Sequence, residues 1–305
     1  MRKETVKKPP WPYNIELTNK CPFSCIMCPR EKSMTRPAED MKWDVYTKLI
    51  DEFHSLHDGA KLMGKKLLRL HGMGESLVHP LFDEMIRYAA DRGFKVAISC
   101  NPLLLTDTVA DRLLDSGLHT LFFSLDGHDD ASFARIRGVN NAYDRSVRRL
   151  ERFLEKRASS GAIERLELSM IDFERNRDSI RSIERYWSNH PLIDRFRKKI
   201  FVNWAGLDDG VNALIDEEAS TSATRLANNK GGCVEPWAQL SILVDGEAVP
   251  CCFDYDGKYP LGNILEEGVM GVWNGKAMQA LRQEFLQREI TNPLCRKCLF
   301  RPEAS

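Results

Sequence analysis

Seven of the nine cysteines in this 305-residue chain fall into two sets whose spacing constrains the fold more than any other feature. Cys21, Cys25 and Cys28 occupy the run Cys21-Pro22-Phe23-Ser24-Cys25-Ile26-Met27-Cys28, and Cys233, Cys251, Cys295 and Cys298 lie towards the C-terminus. Three thiolates hold three irons of a cubane and leave the fourth open, whereas four thiolates close a cluster. One open and one closed centre in a single chain describe a redox enzyme.

The bulk composition narrows the setting. Lys+Arg and Asp+Glu number 44 each, so no whole-chain field favours nucleic acid or an anionic membrane. The basic run Arg195-Phe196-Arg197-Lys198-Lys199 reads as a solvated helix end. No stretch approaches the roughly 20 apolar residues of a membrane span. Lys7-Lys8-Pro9-Pro10 follows the basic N-terminus where a secretory signal would need an apolar core. A cytoplasmic, reducing location is expected, where clustered cysteines ligate metal more often than they form disulfides.

Along the chain, β-prone and helical segments alternate. Strands are predicted at 13–17, 67–70, 94–99, 120–124, 165–170 and 200–203, and helices at 44–57, 81–92, 106–116, 143–156 and 177–187. Six such units argue for a parallel sheet curved into a partial (β/α)6 TIM-like barrel, an α/β fold with its site at the C-terminal strand edge. The alternation breaks in the polar segment 206–230, a linker or lid. Beyond it, a hairpin with its turn at Asp245-Gly246 and a helix over 278–288 predict a small C-terminal cluster-binding domain. The expected division is 1–205, 206–230 and 231–305.

The stretch Thr18-Asn19-Lys20-Cys21 through Cys28-Pro29-Arg30 resembles the signature of the radical S-adenosylmethionine (SAM) superfamily. Three further segments match in register. Gly72-Met73-Gly74-Glu75 ends the second strand like the family's Gly-Gly-Glu motif. Ser99-Cys100-Asn101 ends the third, and Ser124-Leu125-Asp126-Gly127, followed by Arg137-Gly138, ends the fourth. The resemblance implies SAM contacts by Gly72, Gly74, Glu75, Asn101, Ser124 and Arg137. Met27 stands where many relatives carry an aromatic, and its polarizable side chain suits the same adenine edge. Glu75 suits an ammonium and Arg137 a carboxylate. A glycine-rich strand end permits close backbone approach to a ligand.

The second set resembles the Twitch domain, a shortened SPASM-type auxiliary-cluster domain, with a Gly-x4-Cys element at Gly246–Cys251 and a Cys-x2-Cys pair at Cys295 and Cys298. Four-cysteine zinc sites use similar pairs, and the Gly-x4-Cys element favours a cluster. Cys251 is preferred over its neighbour Cys252 as a ligand, because adjacent strand side chains point to opposite faces.

The resemblance therefore implies SAM and two [4Fe–4S] clusters, one binding SAM and one auxiliary. It also implies reductive cleavage of SAM to a 5′-deoxyadenosyl radical, hydrogen abstraction from a substrate, and a flavodoxin- or ferredoxin-type electron donor. The cysteine spacing is particularly similar to that of radical SAM aminocyclitol dehydrogenases. A small polar substrate (a sugar, aminocyclitol or nucleotide sugar) whose alcohol is oxidised, with the auxiliary cluster as electron acceptor, is the expected outcome. Alternatives are epimerisation, with Cys100 returning a hydrogen atom, and peptide modification. A non-catalytic iron–sulfur carrier needs no SAM pocket. Asp126, Asp172 and Glu174 are general-base candidates. His54, His57, His71 and His79 carry little weight as metal ligands, and Trp204, Trp237 and Trp273 are most simply core.

Overall fold

In the computed structural model the described residues are 2–58, 63, 65–218, 220 and 233–298. Residues 219 and 221–230 of the expected linker, together with Gly231 and Gly232, lie outside them. The first half alternates as predicted. Strands β1 (Trp11–Ile15), β2 (Leu67–Arg69), β3 (Lys95–Cys100), β4 (Thr120–Ser124), β5 (Arg165–Asp172) and β6 (Arg195–Ile200) lie side by side in parallel. The helices between them are α1 (Trp43–His57), α2 (Phe82–Ala90), α3 (Asp107–Leu114), α4 (Asp130–Arg137), α5 (Tyr143–Ser160) and α6 (Glu174–Ser188).

Strand alternation decides which face holds the core. Leu68 and Leu70, Val96 and Ile98, Leu121 and Phe123, and Leu166 and Leu168 face the helices and join one buried apolar cluster. The residues between them form the opposite, inner face. It carries Arg69 on β2, Ser99 on β3, Ser124 on β4, Glu167 and Ser169 on β5, and Arg197 and Lys199 on β6. Complete barrels fill this space with branched apolar side chains; here it is largely polar.

Two strands shift from their predicted places. β1 starts at Trp11, whose indole donates to the Leu67 carbonyl at 3.0 Å and meets His57 edge-on. His57 is correspondingly buried, with its Nε2 2.9 Å from the Pro10 carbonyl oxygen. β6 covers the basic run expected at a helix end. As an edge strand it needs one apolar contact, Phe196, which packs on the core. Its charges keep the edge from pairing further. α4 was not foreseen. Asp129 caps it, accepting from the Ser132 amide at 2.7 Å, and Gly138 ends it at φ 73°.

The C-terminal part joins the same sheet. β7 (Gln239–Ile242) pairs with β1 in parallel, from Trp11↔Gln239 to Ile15↔Ile242. β8 (Glu247–Val249) and β9 (Gly262–Asn263) follow antiparallel, giving the order β6-β5-β4-β3-β2-β1-β7-β8-β9. Gly246, at φ 86°, makes the predicted hairpin turn. Helices α8 (Ile264–Trp273), α9 (Lys276–Gln287) and α10 (Pro293–Arg296) cover this end. Between β6 and β7 lies the short helix α7 (Asp209–Asn212). Among the described residues no helix is long and apolar enough to cross a membrane.

Candidate functional site

The first cysteine set lies on the loop after β1, docked on the C-terminal end of α4. The Ile26 amide donates to the Ile136 carbonyl at 3.0 Å. Gly138 permits the approach, since a Cβ there would meet the Ser24 carbonyl oxygen at 2.7 Å. Arg137, the last residue of α4, is thereby presented to the loop, with its Nη1 3.5 Å from Cys25 Sγ. Its Nη2 pairs with Asp126.

Asp126 is fully buried. Its Oδ1 also accepts from the Ile171 amide and Asn176 Nδ2, both at 2.7 Å. This carboxylate is saturated and acts as the anchor of Arg137, so it is no free general base. Asp172 is engaged by Arg177 Nε at 3.0 Å.

The glycine motif ends β2 beside the same loop. A Cβ on Gly74 would overlap the Thr18 carbonyl, and one on Gly72 would meet Glu16 Cγ at 2.5 Å. These glycines let the strand end approach the cysteine loop and the buried Glu16–Arg36 pair, a packing role alongside any ligand contact. The Glu75 amide donates to the Lys20 carbonyl at 2.9 Å, which turns its side chain inward. Glu75 Oε2 accepts from the Asn101 amide at 3.0 Å, while its Oε1 is buried with no partner. Asn101 caps the turn after β3 through Oδ1, leaving a buried Nδ2 unpartnered; Arg137 Nε is likewise orphaned.

Buried polar atoms without partners are costly. An acceptor on Glu75 and donors on Asn101 and Arg137 suit an amino-acid head group, whose ammonium and carboxylate would satisfy them. Ser124 ends β4 and is partly exposed.

Burial pushes the Glu75 carboxyl up to about 7. Its protonated form is therefore favoured by the fold. The stability this contributes is complete below the ordinary carboxylate range and is lost as pH rises through about 7. Metal-free Glu75→Gln protein should accordingly gain on the wild type by about 3 kcal/mol between pH ~4.5 and ~7, measured by urea unfolding across that range. An unchanged difference would show the carboxyl to be hydrated.

The thiols fit a cluster in chemistry as well as place. Burial raises Cys21 to about 12 and Cys28 to about 11, so the thiolate form needs a cationic partner such as iron. Cys100, by contrast, lies in the apolar core on the helix-facing side, 2% exposed, with its thiol held protonated by burial. The structure does not bring it to the inner face.

In the second set, Cys233, Cys251, Cys295 and Cys298 lie close enough for their charges to couple. Burial and these neighbours push Cys233 and Cys295 up to about 12. No three metal-binding side chains close on a single ion position among the described residues, and cubane thiolates, each on its own iron, are spread wider. Cys252 lies there too, coupled to Cys298. β8 ends at Val249, so Cys251 and Cys252 sit in a turn. Strand alternation therefore does not set Cys251 and Cys252 on opposite faces.

Trp204 joins the two sets, where the sequence suggested simple core. Its Nε1 donates to the Met27 carbonyl at 3.0 Å, and its ring meets Phe253 and Tyr255 edge-on at 6.1 and 6.2 Å. Ser33 adds a second tie, bonding Asp208 at 2.6 Å and the Tyr255 hydroxyl at 2.8 Å. Met27 itself is buried beneath this contact. His79 bonds the Met41 carbonyl and the Leu81 amide, a structural role.

Comparison with known proteins agrees with this layout. Over 94% of this chain and 86% of its partner, the sequence is 23% identical to the tungsten-containing aldehyde ferredoxin oxidoreductase cofactor-modifying protein of Pyrococcus furiosus. The fold resembles BtrN in complex with AdoMet (SAM) and 2-DOIA, with a TM-score of 0.62 and 17% identity over 93% of this chain and 91% of that one. It also resembles Streptococcus suis SuiB bound to the precursor peptide SuiA, with a TM-score of 0.66 and 16% identity over 96% and 70%. At these identities the structures share the fold alone. Residues 15–163 match the radical SAM superfamily and residues 233–299 the SPASM iron–sulfur cluster-binding domain. The chain thus carries a radical SAM domain, which binds SAM and a [4Fe–4S] cluster, followed by a SPASM domain, which binds auxiliary iron–sulfur.

Proposed function

We propose that the protein is a radical SAM oxidoreductase that dehydrogenates an alcohol of a small polar substrate, with one auxiliary cluster as electron acceptor. Trp204 is the observation that carries this reading: it touches the first cysteine loop and the residue after Cys252, tying the two cysteine sets into one unit. When bound, SAM and the reduced cluster supply a carbon radical that removes a hydrogen atom from the substrate.

The chain's residues place and shield that chemistry. Cys21, Cys25 and Cys28 would hold the SAM-binding cluster, and Arg137, fixed by Asp126, offsets its negative charge. Glu75 and Arg137 would take the ammonium and carboxylate of SAM, while Asn101, Ser124 and Met27 line the remainder. Cys233, Cys251, Cys295 and Cys298 would hold the auxiliary cluster, which would supply a one-electron acceptor for the substrate. A flavodoxin- or ferredoxin-type protein would reduce the first cluster.

The reconstituted protein, given SAM and dithionite without oxygen, is expected to form 5′-deoxyadenosine. With the right alcohol deuterated at its carbinol carbon, the label should enter 5′-deoxyadenosine and a carbonyl product should accumulate. Absence of 5′-deoxyadenosine with both clusters intact would instead indicate a redox carrier. Label from a peptide and from no alcohol would replace this substrate class, a second reading favoured by the shared fold with peptide-bound SuiB.

A further inference from the structure

The inner face of the sheet holds a set of cations that SAM does not account for, of which Arg69 also lies near Cys252 of the second set. Arg69 and His71 have the same parity at the end of β2, opposite the core-facing Leu68 and Leu70. Arg197 and Lys199 have the same parity on β6, opposite Phe196. Lys199 stands in register with Ile171, whose amide holds Asp126, so it borders the Arg137 pair. Arg69 and Lys199 are both near enough to the His71 ring for their charges to act on it.

Among the described residues none of Arg69, Arg197 and Lys199 makes an ion pair within 4.0 Å. Arg69 instead lies over the Tyr13 ring at 5.1 Å. The nearby carboxylates are committed or outnumbered. Glu235, which with Arg69 acts on Tyr13, accepts from Gln239. Asp126 belongs to Arg137. Glu167 is 4% exposed, with Oε1 3.3 Å from Arg165 and Oε2 buried and unpartnered. His71 Nδ1 is also buried without a partner.

Cations drawn together in a partly enclosed space, without counter-charge, raise each other's free energy until an anion joins them. Burial and its cationic neighbours hold Lys199 down at about 8, the cost such an anion would relieve. A dianion answers three cations better than a carboxylate does, and the fork of Arg69 suits phosphate oxygens. The unpartnered Glu167 oxygen suits a hydroxyl beside that group.

We infer that this inner-face cluster binds a phosphate group of the substrate, held by Arg69, His71 and Lys199 with Arg197 at the open edge. This rests on the reading above and narrows its substrate class to a phosphorylated small molecule, such as a sugar phosphate or nucleotide sugar.

The test is calorimetric titration of the reconstituted holoprotein, with SAM present, using inorganic phosphate as the probe and acetate as comparison. Saturable phosphate binding, weakened about tenfold or more in Lys199→Met and in Arg69→Met, is the expected result. Lys199→Arg should retain most of it. Should either methionine variant fail to fold, Arg197→Met on the exposed edge gives the same comparison with a smaller loss. No saturable binding, or binding that none of these changes weakens, overturns the assignment. So does acetate binding as tightly as phosphate, which would mark a carboxylate site. Formation of 5′-deoxyadenosine by the same wild-type preparation separates the two levels. If it forms while phosphate does not bind, the phosphate site alone fails. If phosphate binds through these residues and none forms, the SAM reading fails and the site stands.

Discussion

Cys25→Ala protein is expected to lose about four of roughly eight irons and to form no 5′-deoxyadenosine above background. Cys25 is the buried member of the first set, and its Sγ receives the Arg137 guanidinium at 3.5 Å. Removing it takes away a ligand and one contact of the buried guanidinium, which keeps its pair with Asp126. Two thiolates on the cysteine loop would retain a cubane poorly. The proposed four-cysteine ligation at the other set would be untouched, so the remaining iron should keep its sulfide and its spectrum. Iron and sulfide analysis with chromatography of the SAM products checks this. Full iron content in the variant would remove the first set from cluster binding, and stoichiometric zinc in the wild type would do the same for the second.

Arg137→Met should be destabilising by about 3–5 kcal/mol in the metal-free protein, beyond any loss of activity. The substitution is close in volume, so packing contributes little. What remains is Asp126, fully buried, with its Oδ2 facing an apolar side chain. The bonds from Ile171 and Asn176 satisfy only Oδ1. The double change Arg137→Met with Asp126→Asn should recover much of that stability without recovering SAM cleavage, since the guanidinium is still missing. Urea unfolding of the three variants measures the pair. If the single variant unfolds like the wild type, water reaches Asp126 and the anchoring role is lost.

Part of this site is legible without coordinates, because the motifs sit at strand ends whose order follows from hydrophobic periodicity. Leu68, Ile98, Phe123 and Leu168 point to the core by simple alternation, and the same alternation places Ser124 and Arg69 on the inner face. Glu75 and Arg137 stand out through their resemblance to family motifs, in register with the cysteines of the β/α series. Their partners do not. Asp126 reads as a candidate base, and only its three contacts show it to be an anchor. Arg195–Lys199 reads as a solvated helix end, because a charged edge strand with one apolar residue has no periodicity to announce it. Asp129 and Gly138, an N-cap and a left-handed stop, were the available signals for α4, in a segment whose apolar positions are too few to register.

The sequence by itself determined the chemistry's inventory: two thiol sets, an α/β series, and acid and base residues at strand ends. These depend on local spacing and on period, which a chain carries in one dimension. The tertiary structure alone decided the rest. It seats β7 against β1, so that the second thiol set joins the sheet that bears the first. It also turns Trp204 between the sets, sends Cys100 into the core, and gathers Arg69, His71 and Lys199 from strands at distant sheet positions. Each of these depends on which residues far apart in sequence share a hydrogen-bonded neighbour or a face, a relation set by packing.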